Sequence, residues 1–285
     1  MSPARRAEAV LFLVTVAWGL TFPMIKGALA DAPPLVFLAV RFPLAMLLLW
    51  PLLRWRRPSR RTLGAGAILS AFLAISFFTQ TLGLVYTTST RSAFITGLAV
   101  VLTPLLYPLL TRRRPGLWPA TGAAIAGGGL YLLTRPEAGG LNRGDALTLI
   151  TALSCALYII YLEVASRRHP YEDLVLHQFL LMCFLFPSMA LFQHGPVHWG
   201  PGLIWGIIVT GPILGASIYL QNRYQKDTTA PRTAVIFAAE PVFAAVFSYL
   251  ILGETLLPVQ WGGGALILAG ILVAERRSVA EGGKR

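Results

Sequence analysis

Charged side chains are scarce in this chain: they make up 13% of its 285 residues, with 12 acidic against 24 basic and only 4 histidines. About a quarter of the residues of an ordinary soluble protein are charged, so this supply cannot cover an aqueous surface. Cysteine occurs twice, at Cys155 and Cys183, both inside apolar runs and without C-x-x-C spacing. That excludes a disulfide framework and a thiolate metal site and leaves both as packing residues. The histidines lack metal-ligand spacing, and neither H-E-x-x-H nor an Asp-rich metal motif occurs, which argues against a metal-dependent membrane enzyme. No G-x-x-x-x-G-K-[ST] phosphate loop is present, so ATP is not the energy source within this chain. No cofactor, metal or catalytic residue is expected.

What is plentiful is apolar. Hydrophobic residues reach 55% and the mean hydropathy is +0.65, a balance that places the chain in a lipid bilayer. Its formal charge of +12 and pI near 10.4 would suggest nucleic acid in a soluble protein. In a membrane protein the same excess marks cytoplasmic loops, and no nucleic-acid partner is expected.

A membrane-spanning helix needs about 20 predominantly apolar residues. Ten such stretches are found: Ala7 to Leu29, Leu35 to Leu53, Thr62 to Val85, Ser92 to Leu110, Leu117 to Leu133, Asp145 to Ala165, Leu174 to Gln193, Gly202 to Tyr224, Thr233 to Gly253 and Pro258 to Ala274. The first has the basic start and the Ala28-Leu29-Ala30 end of a signal peptide, but its apolar run is long and Pro23 and Lys26 interrupt it. It is read as a retained span.

The chain is internally duplicated. Thr87-Thr88-Ser89-Thr90-Arg91-Ser92-Ala93 recurs as Thr228-Thr229-Ala230-Pro231-Arg232-Thr233-Ala234, an offset of 141, which also places Gln80 on Gln221 and Gly122 and Gly129 on Gly263 and Gly270. At an offset of 137, Leu20 meets Leu157, Ala28 meets Ala165, Pro33 meets Pro170 and Phe42 meets Phe179. Residues 1–137 and 138–278 are therefore two five-helix halves, followed by a short tail at 279–285. Five is odd, so the second half enters the membrane from the opposite side. With both termini cytoplasmic, nearly all Lys and Arg fall in cytoplasmic segments; only Lys26, Arg41, Arg91, Arg135 and Arg143 do not. The bias of basic residues to the cytoplasmic side favours that orientation. Equivalent loops also exchange charge: the loop of Arg54, Arg56, Arg57, Arg60 and Arg61 matches the uncharged or neutral stretch from Gln193 to His198. Inverted repeats of this kind are the architecture of many secondary transporters.

The Ala17-Trp18-Gly19 start, the Thr-Thr-x-x-Arg-[Ser/Thr]-Ala entry to the fourth and ninth spans, and Glu240-Pro241-Val242-Phe243-Ala244 running to Leu252-Gly253-Glu254 resemble the drug/metabolite transporter superfamily, EamA type, over essentially the whole chain. Within it the chain is similar to bacterial inner-membrane exporters of amino acids, aromatic ones in particular. The resemblance implies an all-α membrane protein in which four helices of each half surround a central cavity, while the fifth and tenth brace the outside. It also implies export of a small molecule. Glycines at 122, 127, 128 and 129 and at 262, 263, 264 and 270 fit close helix packing in those two spans.

Ionised groups at the bilayer centre cost at least about 2.5 kcal/mol and should face the bundle interior. Glu240, midway along the ninth span and before Pro241, is a candidate to bind a substrate ammonium group or a proton; the alternative is a protonated carboxyl bonded to a freed carbonyl. His177 and Gln178 lie near the start of the seventh span, with Gln178 opposite Arg41 in the repeat. Trp18 and Phe22 share a face of the first span, and Tyr158 and Tyr161 a face of the sixth. With Tyr219 and Phe237 these rings outline a stackable pocket, given polar points by Thr21, Gln80 and Thr96; ordinary core packing is the competing reading of each. Trp50, Trp55, Trp118, Trp199 and Trp261 fit interfacial anchors. Pro104 and Pro241, which match if the first half carries a four-residue insertion, are candidate hinges. Glu163 and Glu254 sit at span ends as boundary groups or partners of Arg. The reading is export of aromatic or other neutral amino acids and related metabolites by alternating access, with a lipid bilayer and a small-molecule substrate as partners and a monomer as the unit. Organic-cation efflux, or a facilitator without ion coupling, is the alternative.

Overall fold

The computed structural model describes residues 2–53, 59–134, 142–255 and 257–274. Among the described residues the regular elements are helices: α1 (Pro3–Ala28), α2 (Pro34–Leu49), α3 (Leu63–Tyr86), α4 (Ser89–Gly97), α5 (Ala99–Thr111), α6 (Leu117–Thr134), α7 (Arg143–Ser166), α8 (Tyr171–Ala190), α9 (Pro201–Tyr224), α10 (Ala230–Phe237), α11 (Glu240–Leu252) and α12 (Pro258–Ala274), with short 3₁₀ turns at Arg60–Thr62 and Gln225–Asp227. Each expected apolar stretch coincides with one helix, except that the fourth consists of α4 and α5 and the ninth of α10 and α11. Seven helical stretches among the described residues are long and apolar enough to cross a membrane, and α2 and α12 are apolar but shorter. Arg54, Trp55, Arg56 and Arg57, Arg135, and the basic residues of the tail from Arg276 onward lie outside the described residues.

Local chemistry sets the helix ends. Ser2 and Thr88 accept hydrogen bonds from the backbone N–H three residues on, at Arg5 and Arg91. Prolines stand in the first turn of α1, α2, α9, α10 and α11, where a missing N–H costs nothing. Asn142 and Asp145 form a reciprocal capping box at the start of α7. The helices α5 and α11 both end on a left-handed residue, Arg112 at φ 56° and Gly253 at φ 70°. Glycine takes that conformation without the steric penalty that Arg112 bears.

The surface differs from that of a soluble protein. Leu109, Phe184, Leu191, Leu250 and Leu272 stand on the outside, each more than two-thirds exposed, while Thr15, Ser70, Thr151, Gln221 and Asn222 are buried. An apolar rim is what a bilayer selects, and the polar groups buried within the largely apolar interior must find their partners within the bundle.

The principal pairings are α6 with α12, α3 with α7, α1 with α9 and α11, and α2 with α8 and α9. The α6–α12 crossing explains part of the glycine content. A Cβ on Gly122 would sit 2.6 Å from the Gly270 carbonyl oxygen, and one on Gly270 would sit 2.7 Å from that of Gly122. Backbones this close exclude any side chain at the contact. Gly262 and Gly128 have room around them, so close packing does not account for them.

The breaks fall beside the candidate hinges. The fourth stretch turns at Leu98, six residues before Pro104, which lies within α5. The ninth turns at Ala238 and Ala239, so that Pro241 occupies the first turn of α11. The Ala238 N–H still reaches the Ala234 oxygen at 3.1 Å and that of Val235 at 3.2 Å, a tightening of the last turn of α10.

Candidate functional site

A partly open cavity lies where these breaks meet α1, α2, α3, α7 and α9. Seven of the residues singled out from the sequence line it: Trp18, Thr21, Gln80, Thr96, Tyr158, Phe237 and Glu240. The helices α6, α8 and α12 contribute no lining residue.

The wall has an aromatic side and a polar side. The rings of Trp18 and Phe237 lie 5.1 Å apart at 55°, so α1 and α10 together present a tilted aromatic pair. The Thr21 hydroxyl is spent within its own helix, donating to the Trp18 carbonyl at 2.8 Å. Gln80 donates to Thr96 at 3.4 Å, tying α3 to α4. Glu240 is buried at the start of α11, where its carboxylate stands near the positive end of a helix.

Five of the predicted residues lie elsewhere, each for a visible reason. Phe22, a turn beyond Trp18, is buried in the hydrophobic core. The Tyr161 ring meets Phe72 at 6.5 Å. The Tyr219 hydroxyl is 3.3 Å from that of Tyr171, with the rings 5.5 Å apart. His177 fills the space over Gly66, with Nδ1 2.7 Å from the Asp173 carbonyl oxygen and 3.5 Å from the Thr62 hydroxyl. Gln178 belongs to a closed polar cluster: Tyr158 donates to its Oε1 at 2.9 Å, it donates to Asn222 Oδ1 at 3.0 Å, and Asn222 donates back to the Tyr158 hydroxyl at 3.0 Å.

Of the lining residues that were not among the candidates, four bear on the chemistry. Cys155, expected to be a packing residue, faces the cavity with its Sγ 3.1 Å from the Ser76 hydroxyl. Phe77 adds a second aromatic surface. Gln221 lines the cavity as Gln80 does, and the offset of 141 that equates the two was the available signal. Arg41 is the most consequential. It is 2% exposed, sits between the rings of Phe37 and Phe77 with its guanidinium carbon 5.7 Å from each, and donates through Nε to the Thr210 carbonyl at 3.3 Å.

Polar contacts close both ends of the bundle around this cavity. Where α1, α10 and the 3₁₀ turn after α9 begin or meet, Arg232 pairs with Glu8 at 3.4 Å. There Glu163, at the end of α7, accepts from the Ala230 N–H at 2.7 Å, the Tyr107 hydroxyl at 3.1 Å and Arg167 at 2.9 Å. At the opposite end Arg91 pairs with the fully buried Asp145 at 2.7 Å, and Thr87 donates to the same carboxylate at 3.1 Å. Lys26 donates to the carbonyls of Leu84 at 2.6 Å and Thr87 at 2.9 Å. Glu254 accepts from the Ser89 hydroxyl at 2.8 Å and from that of Thr90, so its partners are hydroxyls at the start of α4. Among the described residues no group of three or more His, Cys, Asp or Glu is placed to hold a metal ion.

The EamA-like transporter family model matches residues 5–135 and again 142–275. An uncharacterized transporter of Archaeoglobus fulgidus is 33% identical over 273 residues, covering 95% of this chain and 86% of its own length. A probable amino-acid metabolite efflux pump of Salmonella typhimurium is 28% identical, covering 95% of each chain, and one of Escherichia coli is 27% identical with the same coverage. A solved crystal structure superposes with a TM-score of 0.75 at 18% identity, over 95% of this chain and 96% of the other, which is a likeness of fold.

Proposed function

The chain belongs to the EamA-like transporter family, and from that premise we propose that it is an inner-membrane secondary transporter that exports neutral amino acids, aromatic ones included, by alternating access of two inverted halves. Ten spans, with both termini cytoplasmic, carry the substrate at the cavity between the halves. Transporters and not enzymes are what the family and its named relatives are. Two relatives named as amino-acid metabolite efflux pumps support the substrate class and the direction.

The observation that carries the reading is the pairing of the two ion pairs at the ends. Arg91 and Arg232 are 141 residues apart, Glu8 and Asp145 are 137 apart, and each arginine bonds the acid of the other half. Duplicated positions therefore make reciprocal contacts at opposite ends of one cavity. Rocking the halves would break one pair as it tightens the other, which is the geometry alternating access requires. The left-handed ends at Arg112 and Gly253, also 141 apart, support the same repeat.

In the cavity Trp18, Phe77 and Phe237 supply apolar contact area, and Glu240 receives the ammonium group. Glu240 from the second half and Trp18 from the first then hold one solute jointly, so binding is coupled to the relative position of the halves. The aromatic surfaces and Glu240 also fit a planar organic cation through cation–π contact, which is the basis of a second reading as a multidrug efflux carrier.

Flux of labelled phenylalanine, tryptophan, threonine and a planar organic cation into proteoliposomes, with and without a proton gradient, decides between them. Saturable amino acid flux that is lost in Trp18→Ala and Glu240→Gln is the expected result. Movement of the cation alone would replace the amino acid reading with multidrug efflux. Full flux in Glu240→Gln would remove the charge and proton roles from that residue.

A further inference from the structure

We propose that Arg41 is the carboxylate-binding residue of the cavity, so that the transported solute carries an anionic group at one end. This deepens the reading of the chain as an amino acid transporter and rests on it for the ammonium end at Glu240.

Arg41 is a cation buried within the bundle, lining the cavity near the middle of α2. An arginine there should be paired or open to water, because a guanidinium in the bilayer interior is costly. Its two phenyl neighbours and the Thr210 carbonyl stabilise the charge in part. Its Nη1 nonetheless has no hydrogen-bond partner and no exposure, and among the described residues it is the one guanidinium nitrogen in that condition. Arg91, Arg167 and Arg232, by contrast, each meet a carboxylate. A buried donor left unmade is expensive, and the planar fork of arginine suits a carboxylate above other acceptors.

The repeat sharpens the point. In the second half, Gln178, Tyr158 and Asn222 form a network in which each side chain bonds the other two. The offsets of 137 and 141 place Arg41, Thr21 and Thr81 at the same three positions of the first half. There the Thr21 hydroxyl turns back to the Trp18 carbonyl, while Arg41 Nη1 and Thr81 Oγ1 have no partner. In one half the three side chains satisfy one another; in the other they do not, and a cation is left unmatched. Arg41 and Thr21 line the cavity together with Tyr158, and the Oε1 of Gln221, which lines it too, is likewise unpartnered. A zwitterion fits this arrangement, with its carboxylate on Arg41 of the first half and its ammonium on Glu240 of the second.

Equilibrium binding to the purified full-length protein tests the inference with L-phenylalanine, L-threonine, the amide of each, and 3-phenylpropionate. Wild-type protein is expected to bind the free amino acids at least about tenfold more tightly than their amides, the scale of one charge-assisted contact. In Arg41→Gln that preference should fall to within about twofold, and Arg41→Lys should restore part of it. The wild-type comparison needs no variant and stands if Arg41→Gln does not fold. Amides binding as well as the free acids would overturn the assignment. So would failure of all five probes to bind. Binding of 3-phenylpropionate without either amino acid would uphold Arg41 while removing the amino acid reading and the role of Glu240.

Discussion

The two ends of the bundle are tied by equivalent residues in unequal surroundings. At the end where α7 begins, the Arg91–Asp145 pair is 2.7 Å long and its carboxylate is completely buried, shared with Thr87 and with the backbone N–H of Asn142. At the end where α1 begins, Arg232 and Glu8 are 3.4 Å apart and both remain partly exposed. A second asymmetry accompanies the first. Lys26 and Glu163 occupy equivalent positions, 137 residues apart, with opposite charge: Lys26 binds carbonyls at the end of α3, and Glu163 accepts an N–H at the start of α10. Each charge thus matches the helix terminus it meets, a cation at a C-terminus and an anion at an N-terminus. In the proposed rocking motion these unequal end contacts give the two end states unequal energies.

The comparison breaks most visibly at Asp145. Asp145→Ala leaves Arg91, Thr87 and the first turn of α7 without their common acceptor, and a loss of about 3 kcal/mol is expected, by analogy with other broken buried pairs. Thermal unfolding in detergent would measure it, and an unchanged midpoint would refute the view that this end is the tighter one. Glu163→Gln keeps the shape but weakens a buried acceptor of three donors, one of them charged; about 2 kcal/mol is expected from that loss, read by the same assay. Glu8→Gln should cost less than about 1 kcal/mol, since partly exposed pairs contribute little. Double-mutant cycles sharpen the same point. The Arg91–Asp145 coupling should exceed the Arg232–Glu8 coupling, and raising the salt concentration should erode the second more than the first.

Helix positions were legible because each is an apolar run bounded by prolines, glycines or charges; Pro258 to Ala274 was placed residue for residue. The breaks at Leu98 and at Ala238–Ala239 were not, because each falls within a stretch whose mean hydropathy is that of a single span; only Glu240 directly follows the second. Proline marked them only approximately, lying two residues past the second break but six past the first. Within the site, helical spacing identified a face and not a depth. Trp18 and Phe22 share a face, yet only Trp18 reaches the cavity and Phe22 is in the core. Gln178 was matched to Arg41 by sequence offset; Arg41 lines the cavity while Gln178 is bonded by Tyr158 and Asn222, contacts between helices that no single segment reveals.

The central claim is that the two halves rock about one cavity, with each end pair opening in turn. Cysteines at 91 and 145, in a background without the native thiols, can be joined by a short bifunctional thiol reagent with a reducible bond, in proteoliposomes loaded for amino acid flux. The account predicts that joining them stops flux and that reduction restores it, and that cysteines at 8 and 232 behave in the same way. Undiminished flux with either end joined would contradict alternation between these ends.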